Sequence, residues 1–434
     1  MKTKAKVVTL GCYKNLVDSE RIMRQLELNG IELIGEKQKF EYLDIVAINT
    51  CGFIHDAKEE SIETILYYVN LKSTGKIGKI IVFGCLSERY KNELTHEIPE
   101  VDSFLDKFSI NEIIKMVNKT TMADKLYQRV VTTPSHYAYL KISEGCNRKC
   151  AFCAIPLITG RHKSTKTDEL LKEAGFLAKR GVKELILVAQ DLNQYGSDLL
   201  PKTSLYNLIE QLSEIPEIEW IRLQYLYPHK FPKKLPKLIA GNPKICHYVD
   251  IPFQHANNEI LNKMKRNHSY IDNIRIIESL REAVPDIAIR TTLIVGYPGE
   301  TKKQFEELLR FVETVRFERL GAFMYSHEEN TPAAMKLKDN VVKKTKLERL
   351  EQIMSTQEKI STEINENKIG TIQKVLIDKK ESDTLIGRTQ YDSPEVDNEV
   401  FITGVNKEKI KIGDFVDVKI IGANAFDLTA SLYQ

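Results

Sequence analysis

The stretch 144–156, EGCNRKCAFCAIP, places Cys146, Cys150 and Cys153 within eight residues. Three thiolates at Cys-x3-Cys-x2-Cys spacing can ligate three irons of a 4Fe–4S cube and leave the fourth open. A structural zinc site would need a fourth closed ligand, and the nearest candidate, His162, lies nine residues on in the basic segment GRHKS. Buried core thiols fit poorly, because polar Asn147, Arg148 and Lys149 separate the first two cysteines. A second set is dispersed. Cys12 follows VVTLG, Cys51 follows VAINT and Cys85 follows IIVFG, each just past an apolar run. Strands of a parallel sheet end on one edge, so spacings of 39 and 34 residues can gather these thiols there, again with one iron left free. The alternative is three unrelated buried cysteines. Cys246, in NPKICHYVD, has no such company and reads as a core residue.

Elements must position these thiols. From residue 4 to about 130, short β-branched runs (AKVVTL, DIVAIN, KIIVFG) alternate with amphipathic stretches such as SERIMRQLEL, the pattern of a parallel α/β sheet. From about 136 to 350, six apolar runs (AYLKIS, ELILVAQD, WIRLQYL, HYVDIPF, IAIRTTLIVG, RLGAFMYS) each precede a helical stretch. They predict a full or partial (β/α) barrel with active groups at the C-terminal strand ends. After Gly370 the helical period disappears and short strands punctuated by glycine predict a small antiparallel β-barrel. The expected domains are therefore 1–133, 134–368 and 369–434.

Bulk properties narrow the function. The 434 residues carry 63 Lys and Arg against 60 Asp and Glu, and a net charge of +3 gives no bulk electrostatic case for a nucleic-acid partner. The N-terminus lacks the apolar core of a signal peptide, and no run of about 18 apolar residues predicts a membrane span. The expected location is cytoplasmic, where an odd number of cysteines points to metal binding or catalysis rather than a disulfide framework.

The loop of Cys146, Cys150 and Cys153, following the first barrel strand with Phe152 before the last cysteine, resembles that of the radical S-adenosylmethionine superfamily. With the three-cysteine N-terminal region and the small terminal barrel, the TRAM domain, the whole chain resembles the methylthiotransferases. The strings YVDIPFQHANNEILNKMKR, RTTLIVGYPGET, YSHEENTPAA and GRTQYDSPEVDNEVFI are similar to the branch that modifies an aspartate of small-subunit ribosomal protein S12, the RimO type. A transfer-RNA adenosine methylthiotransferase is the alternative, and a non-enzymatic iron-sulfur protein that binds the ribosome is a more distant one.

The resemblance implies two 4Fe–4S clusters and two S-adenosylmethionines per turnover. One methylates a sulfide held at Cys12, Cys51 and Cys85. The other is cleaved at Cys146, Cys150 and Cys153 to abstract hydrogen from the aspartate β-carbon. It also implies an electron donor and a sulfur source, and the ribosomal protein, free or on the ribosome, as partner, with no membrane and no direct nucleic acid required. Gln190, Asp191, Gln254, His255, Arg290 and Thr292 fall at strand ends where they would face the cofactor. The turn GYPGE, Gly296 to Glu300, would let backbone approach its adenine. Any of these could equally be a hydrogen-bonding residue of the barrel interior. In the last region, residues 371–434 hold 8 Lys and Arg against 11 Asp and Glu, a local charge of −3 that would repel a phosphate backbone. Asp392, Glu395 and Asp397 are expected to offer a basic substrate protein an acidic surface, although a solvated turn has the same composition.

Overall fold

The computed structural model describes residues 2–35, 38–107, 109–404 and 409–433. The chain divides into two compact units: residues 1–132, 139–148 and 153–176, and residues 133–138, 149–152 and 177–434.

In the first unit, strands β1 (Lys4–Thr9), β2 (Glu32–Leu33), β3 (Leu43–Thr50), β4 (Ile77–Gly84) and β5 (Ser103–Phe104) form a parallel sheet in the order β2-β1-β3-β4-β5. Its central strands read as unbroken apolar runs because both faces are covered. Val46, Ile48, Ile80 and Val82 pack against Ile65 and Tyr68 of helix α2 (His55–Ser73). The alternate residues Ile45, Ala47, Ile81 and Phe83 pack with Ile22 and Leu26 of helix α1 (Tyr13–Leu28). Helix α3 (Cys85–Glu97) leaves β4 without a connecting loop.

The six predicted barrel strands are β6 (Tyr137–Lys141), which the division crosses after Ala138, and, all within the second unit, β7 (Glu184–Val188), β8 (Trp220–Leu223), β9 (Ile245–Asp250), β10 (Ala288–Val295) and β11 (Arg319–Met324). They lie in sequential order in one six-stranded sheet, and the register from β7 to β11 is parallel. Strands β12 (Ile372–Glu381), β13 (Thr384–Thr389), β14 (Glu399–Ile402), β15 (Phe415–Ala423) and β16 (Asp427–Leu432) close the small barrel around Val375, Ile377, Val400, Ile402, Val418 and Leu428. All its pairs are antiparallel except β14 with β16. Trp220 and Cys246 pack with Tyr248, Ala288 and Leu376, joining the small barrel to the N-terminal ends of β8, β9 and β10.

The loop between β13 and β14 corrects one expectation. Asp392 is completely buried and accepts from Arg319 Nε at 2.9 Å. The Asp397 side chain is 2% exposed, accepts from the Tyr248 hydroxyl at 2.9 Å and lies 3.4 Å from Arg290 Nε. Arg222 donates to the Gln390 carbonyl at 2.8 Å, while Glu184 joins Arg222 (2.7 Å) to Arg388 of β13 (2.8 Å). The barrel strands carry buried arginines, and a buried cation left without a carboxylate is strongly destabilising. Two of the three proposed docking carboxylates meet that need. Glu395 alone of the three stays exposed, within 3.3 Å of the Tyr137 hydroxyl. No helix among the described residues is long and apolar enough to cross a membrane.

Candidate functional site

Sheet order brings the dispersed cysteines onto one edge. β1, β3 and β4 are neighbours, and Thr50 sits opposite Gly84, so Cys51 and Cys85 leave adjacent strands side by side. Thr9 pairs with Asn49, which sets Cys12 three residues beyond the end of β1 on the same edge. Gly11 makes the approach possible. Its φ is +85°, and a β-carbon there would lie 2.7 Å from Cys51 Cβ and 2.8 Å from its sulfur. Asn15 ties the edge together, donating to the carbonyls of Leu10 (3.0 Å) and Thr50 (3.2 Å), with its Oδ1 3.7 Å from Cys85 Sγ.

The electrostatics suit thiolates unequally. Burial pushes the Cys12 thiol up, but Lys14, backbone N–H groups at the start of α1 and Lys107 outweigh it, leaving the thiol below its ordinary value. Burial pushes Cys85 up to about 12 against the pull of Lys107. Metal ligation removes such a proton. Lys107 is itself buried and bonds Glu144 at 3.1 Å.

The loop cysteines differ in burial: Cys150 is buried, Cys146 and Cys153 are partly exposed. Cys146 N–H donates to Gly160 O at 3.1 Å, and Arg148 N–H donates to Cys146 Sγ at 3.4 Å. Gly145 has φ +72°, and a β-carbon there would come within 2.1 Å of the Arg161 carbonyl oxygen. Burial raises Glu144, yet Lys141 and Lys107 bring it down to about 2. His162 is already engaged, with Nε2 3.0 Å from Ser164 Oγ. Among the described residues no three His, Cys, Asp or Glu side chains converge on a single-ion site. A cube takes one thiolate per iron, so its ligands surround a cluster instead of meeting at a point. Unbridged thiols at one sheet edge, with Cys51 and Cys85 buried and Cys12 and Cys85 at the starts of α1 and α3, fit such a group as a donor set.

The strand-end residues separate into three places. Gln254 (φ +71°) bonds the Thr292 carbonyl at 2.9 Å and the Ile294 N–H at 2.8 Å beside β10. Next to it, His255 is fully buried, with Nδ1 accepting from Asn257 N at 2.9 Å and Nε2 3.4 Å from Glu300 Oε2. Glu300 also accepts from Gly296 N at 3.0 Å and pairs with Arg349 at 2.7 Å. Gln254, His255, Thr292, Gly296 and Glu300 are thus brought together where β10 ends. Gln190 and Asp191 lie past the end of β7, where Asp191 Oδ1 accepts from Asn193 N at 3.0 Å. The Arg290 side chain turns away to Asp250 and Asp397, each at 3.4 Å, so the expectation that it faces a cofactor gives way to an internal ion-pair role. Reading the sequence missed Asn15, Lys107, Tyr227 and Arg266. Asn15, Lys107 and Arg266 belong to no cysteine spacing or predicted strand end, Tyr227 directly follows the run WIRLQYL, and only the fold brings them to the thiols.

Comparison with known proteins places this architecture. The chain matches the Radical SAM superfamily over residues 140–312, the TRAM domain over 369–432, and Uncharacterized protein family UPF0004 over 4–106. Its fold is similar to the radical S-adenosylmethionine methyltransferase TsrM from Kitasatospora setae, solved with cobalamin and a [4Fe-4S] cluster bound. The TM-score is 0.56 at 13% identity, over 77% of this chain and 74% of that one. These matches define a radical S-adenosylmethionine protein with a TRAM module. Similarity over the full length goes further: the ribosomal protein uS12 methylthiotransferase RimO of Phocaeicola vulgatus is 50% identical over 98% of both chains. That of Cytophaga hutchinsonii is 49% identical over 100% of this chain and 98% of its own. The chain belongs to the RimO family of methylthiotransferases.

Proposed function

We propose that this chain transfers a methylthio group to the β-carbon of an aspartate in small-subunit ribosomal protein S12. It would use two 4Fe–4S clusters and two S-adenosylmethionines per turnover, in the cytoplasm. The observation that carries the proposal is the pairing of Thr50 with Gly84, which supports a second thiol triad, Cys12, Cys51 and Cys85, apart from the loop triad. A β C–H bond has no proton an ordinary base can remove at neutral pH, so replacing it by C–S calls for hydrogen-atom abstraction. When bound, the clusters and S-adenosylmethionine supply that radical capacity and a place for the transferred sulfur.

The chain's own groups do the rest. Cys146, Cys150 and Cys153 would hold one cluster, their three thiolates being one fewer than its irons, and Cys12, Cys51 and Cys85 would hold the other. Gln190, Asp191, Gln254, His255, Thr292, Gly296 and Glu300 line the cofactor, with His255 and Glu300 fixing the turn at Gly296. The functional boundaries are proposed at 133/134 and 368/369. A low-potential electron donor and a sulfur source are required; nucleic acid is not. Of the acidic loop, Glu395 remains as a substrate contact.

The test is anaerobic incubation of the reconstituted chain with S-adenosylmethionine, a strong reductant, sulfide, and either ribosomal protein S12 or bulk transfer RNA. Mass spectrometry should find methylthio in place of hydrogen on one aspartate of the protein. Modified adenosine with the protein untouched would overturn the substrate assignment.

A further inference from the structure

We infer that Arg266, assisted by Tyr227, is a positioning residue for the loop cluster, acting on the Cys150 sulfur so that the cluster's reduced state is favoured. The inference rests on the proposed assignment of Cys146, Cys150 and Cys153 to a cluster, and it concerns residues outside the cysteine motif.

Arg266 Nη1 donates to Cys150 Sγ at 3.4 Å, and the Tyr227 hydroxyl lies 3.4 Å from the same sulfur. The guanidinium stacks on the Tyr227 ring, 4.1 Å from its centroid, and Nη2 reaches the Pro252 carbonyl. Arg266 is therefore held on three sides and is only 4% exposed. The Tyr227 hydroxyl has one proton and two acceptors within reach, Arg266 O at 3.0 Å and Cys150 Sγ. A thiolate competes for that proton; a thiol does not.

The backbone is shaped around this contact. Lys265 (φ +55°) and Asn267 (φ +57°) are both left-handed, a region that asparagine enters readily and lysine seldom does. Both are exposed, while Arg266 between them is turned inward. Strain of this kind persists where surrounding structure over-determines it and concentrates at functional sites. The neighbouring His268 is buried and held neutral, pushed down to about 3 by burial and then by Arg266. The fixed cation at this sulfur is thus the arginine.

Cluster potentials depend on net charge and on hydrogen bonds to the ligand sulfurs. Adding an electron makes the cluster more negative, so a buried cation and an N–H donor at Cys150 stabilise the reduced state more than the oxidised one. Removing them should lower the midpoint potential without removing a ligand.

The experiment is a redox titration of the reconstituted full chain followed by electron paramagnetic resonance, tracking the cluster whose signal changes on adding S-adenosylmethionine. Arg266→Gln should shift its reduction equilibrium at least tenfold toward the oxidised form, about 59 mV for one electron. Tyr227→Phe, which keeps the ring, should shift it less in the same direction, and Arg266→Lys should restore part of the loss. The second cluster should keep its midpoint in all three variants. A merely structural role would lower iron content or thermal stability and leave the midpoint of the retained iron unmoved. Should Arg266→Gln retain no iron at the loop, Tyr227→Phe decides. Unchanged midpoints in the readable variants, or equal shifts of both clusters, overturn the inference alone. A wild-type chain with no signal responsive to S-adenosylmethionine overturns the underlying assignment, and the inference with it.

Discussion

The two cysteine triads reach their proposed donor sets by opposite routes. Cys146, Cys150 and Cys153 are neighbours in sequence, gathered by one loop. Cys12, Cys51 and Cys85 are neighbours only because β1, β3 and β4 are adjacent and parallel. The first arrangement is readable from spacing and depends on local turns such as that at Gly145. The second is readable only from where each cysteine falls after an apolar run and depends on register, so a one-residue slip of β3 against β4 would carry Cys51 away from Cys85. The lesson is where each site is vulnerable: one to its loop, the other to its sheet.

The sharpest way to break the comparison is to remove one thiol from each. Cys150→Ala should abolish 5′-deoxyadenosine formation, because no open iron remains to bind the cofactor. Cys51→Ala should still cleave the cofactor and transfer no methylthio group. Abundant 5′-deoxyadenosine from the Cys150 variant would sink the division of labour. Iron content comes next: about eight irons per chain are expected after anaerobic reconstitution, and replacing Cys12, Cys51 and Cys85 together by Ala should leave roughly half.

The glycines give a finer contrast. Gly11→Ala places a side chain in a left-handed backbone, costing about 1–2 kcal/mol before its clash with Cys51 is counted. It should reduce iron at the sheet-edge site alone. Gly145→Ala should spare that iron and reduce cofactor cleavage. Identical losses from both would show that the triads are not independently supported. Smallest in its effect on the proposed chemistry is Lys107→Met, which is read on stability. It removes one of two cations from Glu144 but leaves Lys141 at 2.9 Å, so about 1–3 kcal/mol of stability should go. The readout is the thermal midpoint of the iron-free chain.

Periodicity made the frame legible: three strands of the first sheet, all six of the second, and a terminal β region all follow from apolar runs. Two strands of the first sheet, β2 and β5, are two residues long and carry no alternation to read. All six proposed ligand cysteines could be named from sequence, whereas Arg266 could not, because its inward turn depends on two left-handed neighbours, one of them Lys265, a residue type without a preference for that region. Asp392 and Asp397 misled for a physical reason. An acidic loop rich in turn formers looks solvated until the arginines it neutralises are known, and those arginines stand on strands far away in sequence.

That loop has a consequence for how the chain could be cut or exchanged. Ending the polypeptide near residue 368 would strip Arg319 of its carboxylate Asp392, take the Gln390 carbonyl from Arg222 and leave it Glu184 alone, and uncover Trp220, Tyr248 and Ala288 at the base of the sheet. The shortened protein should be recovered aggregated rather than as an active remainder, visible as loss of the monodisperse peak in size-exclusion chromatography. Grafting a foreign terminal barrel should fail equally unless the graft brings its own loop with carboxylates at the positions of Asp392 and Asp397. In this chain the terminal module is recognisable as a separate stretch of sequence, but it is inherited, and would have to be transplanted, together with the floor it closes.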